Sequence, residues 1–446
     1  MALTFWQRLE RRVYSLVMYL LVPVIVWRLA WRGVSQRAYF RRWGERFGFF
    51  SARSGADGAL WVHAVSVGEV AAAAPLIACL RERYPGCPLV ITTITPTGSA
   101  RVSKLWGEQA FHVYLPYDLP AAIRRFLRRT RPKIAIVMET EIWPNLFLEC
   151  AAAGIPIIIA NARLSERSLG GYGPVRGLAR MAVRCAHTVA AQSQMDADRL
   201  IALGARPQRV VVAGNMKYDL ALPQGLLYKS ASWRSSWGAE RPVWIAASTH
   251  EMEETAVLRA QQQVLARYPD ALLLWAPRHP ERFRTVEQHA RDAGLIVTSR
   301  SVHGLPGRSS QCFIINTLGE LLMFYATVDL AFVGGSLQPI GGHNVLEAAA
   351  LGVPCLVGPH TFNFAEVTEH LIAGGAALRV ASGEVLGEAV MQLIVDADQR
   401  NRMAEAARDM VASERGAVER TLRLIEPVMA EHYTSSLPDL MPMPRD

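Results

Sequence analysis

The sequence predicts an α/β protein made of two doubly wound, Rossmann-like domains. Three observations carry this expectation. From Leu60 onward, short apolar runs alternate with segments of helical period, as parallel βα repeats require. A polar, turn-rich stretch at residues 215–241 divides those runs into two series. The 446 residues, 51% of them hydrophobic, also exceed the roughly 250–300 at which a single core stops growing.

The first series, residues 51–214, holds seven strand-like runs at 61–65, 89–94, 111–116, 133–138, 155–161, 187–192 and 209–214. The second, residues 242–403, holds five, at 243–248, 271–277, 312–316, 328–335 and 353–358. A helical pattern at 404–432 is long enough to return toward the first domain, and the proline- and serine-bearing tail 433–446 is expected to be flexible. Neither series has a P-loop or a G-x-G-x-x-G after its first strand, so a GT-B architecture fits better than a dehydrogenase. That architecture would place the active site in a cleft between the domains. Ligands of such folds bind beyond the carboxyl ends of the strands, and the candidate residues are sought there.

Charge and hydropathy set residues 1–50 apart as a membrane-associated segment. The formal net charge is +9, yet nine arginines against Glu10 and Glu45 give this segment +7, leaving +2 for the rest. A basic cap beside an apolar run points to an anionic membrane surface and away from nucleic acid, whose groove needs charge spread along a folded face. The uncharged run Val13–Trp27 reaches only about 22 Å as a helix, short of the ~30 Å hydrocarbon core. With no small-x-small cleavage site after it, it reads as a helix in or on the membrane, kinked by Pro23, and not as a signal peptide. Whether it spans stays open. Six scattered cysteines without a C-x-x-C read as free thiols in a reducing compartment.

The candidate site residues follow strand ends. After the first run come Ser66, Gly68 and Glu69, a turn into a helix whose dipole favours an ionised carboxylate. Glu69 there suits a base that takes a proton from an attacking hydroxyl, or merely complements the dipole. Glu139 and Glu141 follow the fourth run, one residue apart, where a single charge would have ended the strand. Lys217, at the exit from the first domain, can reach the cleft or be an ordinary solvated linker residue. In the second domain Pro277, Arg278 and His279 form a stiff turn suited to a phosphate or carboxylate. Ser336, Gly341, Gly342, His343, Asn344, Val345, Leu346 and Glu347 lie in a Gly-rich strand–helix junction whose free amides would make an anion site, with Glu347 accepting from ribose hydroxyls. Leu318, Gly319 and Glu320 open another helix near a base or phosphate, and Ser248 begins the domain's first helix or plainly caps it. Two D-x-D triplets, Asp196/Asp198 and Asp396/Asp398, sit in helix-like segments and read as solvated charges, and no dedicated metal or cofactor is expected.

At these residues the sequence resembles the 3-deoxy-D-manno-octulosonic acid (Kdo) transferase family of Gram-negative bacteria. The resemblance runs from the amino-terminal helix to about residue 430 through ordered motifs: RWGERFGFF, HAVSVGE, TTITPTGSARV, VYLPYDLP, METEIWPN, NARLSERS, ASTHEMEE, PRHPERF, GGSLQPIGGHNVLEAAA and GPHTFNF. It implies an inverting, metal-independent GT-B enzyme that moves Kdo from CMP-Kdo to a lipid A precursor, at the cytoplasmic face of the inner membrane. By motif, it makes Glu69 the proton acceptor and Glu139 and Lys217 its auxiliaries. It assigns Pro277, Arg278, Leu318–Glu320 and Asn344–Glu347 to CMP. Val345 and Leu318 stand where many or some relatives have proline and methionine, and neither removes a charge. The number of Kdo units transferred is not fixed by these residues. The alternatives are a GT-B nucleotide-sugar epimerase, which needs no lipid-facing helix, and a non-enzymatic membrane-surface binding protein, which leaves the polar strand ends unexplained.

Overall fold

The computed structural model describes residues 3–52, 57–220 and 222–434. The chain forms two compact units, Met1–Asp219 with Arg415–Asp446, and Leu220–Glu414. In the first, β1 (Ala59–His63), β2 (Leu89–Thr93), β3 (Phe111–Tyr114), β4 (Pro132–Met138), β5 (Ile157–Ala162), β6 (Ala186–Ala191) and β7 (Val210–Val212) make a parallel sheet ordered β3-β2-β1-β4-β5-β6-β7. In the second, β8 (Val243–Thr249), β9 (Leu272–Pro277), β10 (Val297–Ser299), β11 (Cys312–Ile314), β12 (Leu330–Val333), β13 (Cys355–Val357) and β14 (Ala377–Arg379) are ordered β10-β11-β9-β8-β12-β13-β14, also parallel. These are the two Rossmann-like sheets of a GT-B fold.

The strand order reverses between β1 and β4 in one sheet and between β8 and β12 in the other. The registers His63↔Val137 and Ala247↔Val333 put the loops after those strands side by side. Such switch points open a crevice beyond the carboxyl ends where a ligand can sit. β10 and β14, three residues each, are absent from the sequence reading because runs as short as Val297–Ser299 and Ala377–Arg379 carry no period. They edge the second sheet.

Helices α1 (Phe5–Leu20) and α2 (Val22–Ser35) precede the first sheet, and α3 (Val67–Arg83), α4 (Pro96–Trp106), α5 (Pro120–Thr130) and α6 (Pro144–Ala152) follow β1 to β4 in turn. Three buried indoles have partners for their N–H groups: Trp61 donates to Thr92 Oγ1 (2.9 Å), Trp244 to Gln261 Oε1 (2.7 Å) and Trp275 to Thr249 Oγ1 (2.9 Å). Cys150, Cys312 and Cys355 are buried and Cys79, Cys87 and Cys185 half-buried, all as free thiols. Asp196 corrects the solvated-charge reading: it is buried in the first turn of the helix Gln194–Leu203, accepting from Leu164 N (2.8 Å) and from Oγ of the capping Ser193 (2.5 Å), so it ties the helix start to the loop after β5.

Among the described residues no single helix is long and apolar enough to cross a membrane, but α1 and Val22–Val34 pass together, bent by 45°. The break falls at Leu21, two residues before Pro23, whose ring excludes the carbonyl of Tyr19. α1 is amphipathic in an inverted sense. Its polar side meets protein: Arg11 donates to Asn145 Oδ1 (3.2 Å) and Glu149 Oε1 (2.5 Å), Ser15 to Asn145 Oδ1 (3.1 Å) and Tyr14 to Asp118 Oδ2 (2.9 Å). Phe5, Val13, Leu16 and Leu20 are left exposed.

At the other end, Ala397–Glu414 is a helix of the second unit and Ala417–Thr434 a helix of the first. The latter buries Val418, Leu422, Ile425 and Met429 in the core behind α3 and β4. Residues 435–446, most of the expected tail, lie outside the described residues. Asp219 starts this last helix, taking Gly416 N (2.6 Å) and Val418 N (2.5 Å) on its two oxygens. Asp219→Ala should therefore cost about 1–2 kcal/mol, read as a lower urea midpoint, and should speed proteolysis near Arg415.

Candidate functional site

The first switch point gathers six of the expected residues, Ser66, Gly68, Glu69, Glu139, Glu141 and Lys217. Ser66 caps α3, its Oγ accepting from Glu69 N (3.3 Å). Glu69 answers at the third helical position, with Oε2 taking Val65 N (2.8 Å) and Oε1 taking Ser66 Oγ (2.9 Å). Glu69 is 8% exposed, and burial, reinforced by Glu139 and Glu141 nearby, pushes its pKa up to about 7. The helix start was expected to keep this group ionised. Instead desolvation outweighs the dipole and the two hydrogen bonds, and the carboxyl titrates near neutrality.

Glu139 faces cations. Its Oε2 accepts from Arg163 Nε (2.8 Å), and Lys217 Nζ stands 3.7 Å from Oε1. Lys217 is fixed from both sides of its turn, Asn161 Oδ1 taking Met216 N (2.9 Å) and Asn215 Oδ1 taking Lys217 N (3.0 Å). Glu141 precedes α6 and accepts from Trp143 Nε1 (2.7 Å), and burial raises its pKa as well. Gly68 is exposed at the start of α3.

Three residues in left-handed backbone mark these strand ends: Glu139 (φ 55°), Asn161 (φ 54°) and Ser248 (φ 56°). Non-glycine residues adopt this region at a cost, and it persists where surrounding structure enforces it. Asn161 interrupts the β5–β6 register, so its side chain reaches the Lys217 turn.

The second switch point is organised by Glu253, which sequence reasoning missed. It lies at the third position of the helix Glu251–Arg267 and is fully buried. Its carboxylate accepts four backbone N–H groups: His250 (2.9 Å), Gly335 (2.7 Å), Ser336 (3.0 Å) and Leu337 (3.0 Å). This corrects the reading of the Gly-rich junction as free amides, because its first three are already held by a carboxylate. A Cβ on Gly334 would come within 2.7 Å of Thr249 Cα and 2.8 Å of Glu253 Oε2, so glycine is required there.

Around that loop stand three imidazoles. His250 Nε2 lies 2.9 Å from His343 Nε2 with the rings 5.2 Å apart, and the His279 ring is 5.1 Å from that of His250. One nitrogen of the 2.9 Å pair must donate and the other accept. Burial lowers the pKa of His343 to about 4, helped by Arg278, and lowers that of His250 too. Burial thus biases His250 and His343 toward the neutral form, next to the exposed guanidinium of Arg278 after buried Pro277. An anion placed there would be met by Arg278 and by imidazole N–H donors.

Asn344 opens the short helix Leu346–Ala349, its Oδ1 taking Leu346 N (3.1 Å) and its Nδ2 donating to Glu347 Oε1 (3.2 Å). Val345 and Leu346 are buried beneath it, and Gly341 and Gly342 hold positive φ. Leu318 and Gly319 are exposed, while Glu320 is spoken for. Its carboxylate takes Arg300 Nε (3.0 Å), Arg300 Nη2 (2.5 Å) and Thr317 Oγ1 (2.5 Å), which holds its pKa below the usual range. Among the described residues no group of three or more His, Cys, Asp or Glu stands at metal-binding spacing.

Arg163 and Glu253 were within reach of sequence reasoning. Arg163 follows the fifth strand as Glu139 follows the fourth, and Glu253 sits three residues after His250 in the spacing of a capping box.

Comparison with known proteins gives three findings. The profile of the family described as 3-Deoxy-D-manno-octulosonic-acid transferase (kdotransferase) matches residues 41–220. Two relatives called 3-deoxy-D-manno-octulosonic acid transferase are similar over nearly the whole chain. That of Haemophilus influenzae is 39% identical, covering 94% of this chain and 99% of its own, and that of Bordetella pertussis is 40% identical, covering 93% and 99%. A solved putative UDP-N-acetylglucosamine 2-epimerase from Listeria monocytogenes shares the fold alone, with a TM-score of 0.51 at 16% identity over 86% of this chain and 100% of that one.

The Glu253 clamp predicts a large loss on mutation. Glu253→Ala would orphan buried amides worth about 1–3 kcal/mol each, so unfolding free energy should fall by at least about 3 kcal/mol in guanidinium titration. Glu253→Gln should recover only part of it, because its amide nitrogen would face N–H donors.

Proposed function

Since the chain belongs to the Kdo transferase family of glycosyltransferases, we propose that it transfers Kdo from CMP-Kdo, with inversion, to a tetraacylated lipid A precursor. Glu69 is the base, Glu139 and Lys217 are its auxiliaries, and the enzyme works at the cytoplasmic face of the inner membrane. The observation that carries this reading is a buried carboxyl with a pKa of about 7 at the first switch point, beside a carboxylate balanced by Arg163 and Lys217.

The chemistry follows from charge. The attacking hydroxyl gives its proton to the Glu69 carboxylate as its oxygen bonds to the anomeric carbon, and the bond from that carbon to the CMP phosphate oxygen breaks. CMP leaves with the bonding pair. A base whose pKa lies near the working pH is both sufficiently ionised and a useful proton acceptor. The departing phosphate and the Kdo carboxylate are both anionic, so cations and N–H donors must receive them. Arg278, with His279 and His343 beside it, is the group of the second unit suited to the phosphate. Pro277 stiffens that turn, and Leu318–Glu320 and Asn344–Glu347 are assigned to the nucleoside, Glu320 acting through its clasp on Arg300. Support for membrane placement comes from the inverted α1 and the bent α1–α2 pair.

Incubating the protein with CMP-Kdo and lipid acceptor and following product mass tests the transfer and counts the sugars added. No mass increase sinks it. An assay of free nucleotide-sugar isomerisation without acceptor should be blank, and turnover there would favour an epimerase.

The base role predicts a pH dependence of known sign. With Glu69 required as carboxylate, kcat/KM should rise about tenfold per pH unit below about 7 and level off above it. Glu69→Gln should cut kcat by about 10²–10⁴-fold with CMP binding retained. Lys217→Met removes a cation 3.7 Å from Glu139, so the less balanced Glu139 should push the Glu69 carboxyl higher and move the acid limb to higher pH. An unmoved limb would remove Lys217 and Glu139 from any electrostatic role.

A further inference from the structure

We propose that a groove between α1, α5 and α6 binds the phosphodiester headgroup of an anionic bilayer phospholipid, whose acyl chains lie along the exposed side of α1. This rests on the membrane reading above and goes beyond it, from a general surface attraction to a defined lipid site.

Two hollows of about 520 and 580 Å³ meet at Arg124 and Glu149. Each is the size of an ordinary small-molecule site. The first runs along one side of α1 past Arg8, Arg12 and Leu16, and the second continues down α5 to Arg128. Glu149 is the sole carboxylate among the lining residues. It is already met by Arg11 Nη2 (2.5 Å) and Arg124 Nη1 (2.9 Å), so it neutralises nothing further. Arg125, also on the wall, gives its guanidinium to Phe47 O (2.7 Å).

Arg8, Arg12 and Arg128 are left with no carboxylate partner among the described residues, all exposed and all facing the hollows. Guanidinium groups bind phosphate oxygens in pairs with a geometry ammonium groups lack. An excess of them in a concave site selects an anion. The apolar row Phe5, Val13, Leu16 and Leu20 on the outward side of α1, 53–70% exposed, selects a lipid one.

The groove's direction separates it from the chemistry. Helices of such a fold run antiparallel to their strands, so Pro120 at the start of α5 lies at the carboxyl edge of the sheet, while Arg128 and Ala152, in the last turns of α5 and α6, lie toward the amino edge. Glu69 sits at the carboxyl edge. A headgroup held near Arg128 is therefore displaced from the reacting hydroxyl, and the occupant is a bilayer phospholipid, not the acceptor.

The test uses the full-length protein with all three free arginines changed, Arg8→Ser/Arg12→Ser/Arg128→Ser, and sedimentation with vesicles of phosphatidylcholine alone or with phosphatidylglycerol added. The parent should prefer phosphatidylglycerol vesicles, and each arginine lost should lower that preference about fivefold. The corresponding triple lysine variant, which keeps the charge but loses the paired hydrogen bonds, should fall between the parent and the serine variant, and it serves where the serine variant melts early. A lysine variant equal to the parent would reduce the groove to general surface charge and overturn the proposal. A serine variant that prefers phosphatidylglycerol as strongly as the parent overturns the proposal. So does a preference abolished by millimolar inorganic phosphate at matched ionic strength, which would mark a free-phosphate site. If the parent binds neither vesicle, the membrane reading itself fails. If it binds both equally, that reading stands on the apolar face and only the groove is lost.

Discussion

One interaction is used twice, and the two candidate half-sites depend on it: a glutamate at the third position of the helix after the first strand of each sheet turns back onto the strand–helix loop. Glu69 does this after β1 and Glu253 after β8. Their difference lies in the number of donors each receives. Glu253 accepts four backbone N–H groups and is fully buried, a structural clamp for the Gly-rich loop. Glu69 accepts one N–H and one hydroxyl and faces two further carboxylates. Donors stabilise the charged form and burial opposes it, and at Glu69, with two donors, burial prevails and pushes the pKa up to about 7.

The strain at the strand ends belongs to the same arrangement. Glu139, Asn161 and Ser248 hold left-handed backbone that glycine would adopt more cheaply, and in the first unit the side chain is what the site needs. Glu139 turns toward Arg163 and Lys217, and Asn161 secures the turn that carries Lys217. Glycine at either position would relax the backbone and lose the contact. In the second unit the order is reversed: Gly334 is required because Thr249 and Glu253 leave no room for a Cβ.

What the sequence made legible was whatever has a period or a punctuation mark. The apolar runs of β1–β9 and β11–β13 stand out because buried parallel strands are continuous in hydrophobicity, whereas Val297–Ser299 and Ala377–Arg379 are too short to show one. Glu69, Glu139 and Arg278 were visible as charges immediately after such runs. The capping-box spacing of Glu253 was visible too, but its hold on the loop was not, since its partners at 335–337 lie more than eighty residues away. For the same reason the occupied state of the loop amides could not be read from its glycines. The direction of the Glu69 shift was hidden as well: the helix dipole is written in the sequence, but desolvation is a property of the packed structure.

The amino-terminal helix is tied to the scaffold that carries the candidate carboxylates. Asp118, almost wholly buried, accepts Asn145 N (3.0 Å) and Leu146 N (2.9 Å) at the start of α6 and also the Tyr14 hydroxyl (2.9 Å) from α1. Asn145 in turn takes Arg11 Nε and Ser15 Oγ. α6 begins a few residues after Glu139 and Glu141, so the loop carrying those carboxylates is bounded by a helix whose first turn is held by α1. An amphipathic helix in an ordinary globular protein buries its apolar face. Here the polar face is the one fastened, by hydrogen bonds that water would otherwise satisfy, and the apolar face is left exposed. Under the proposed function, lipid covering Phe5, Val13, Leu16 and Leu20 would take that exposed apolar surface out of water, and the same helix that meets it would steady the loop of Glu139 and Glu141.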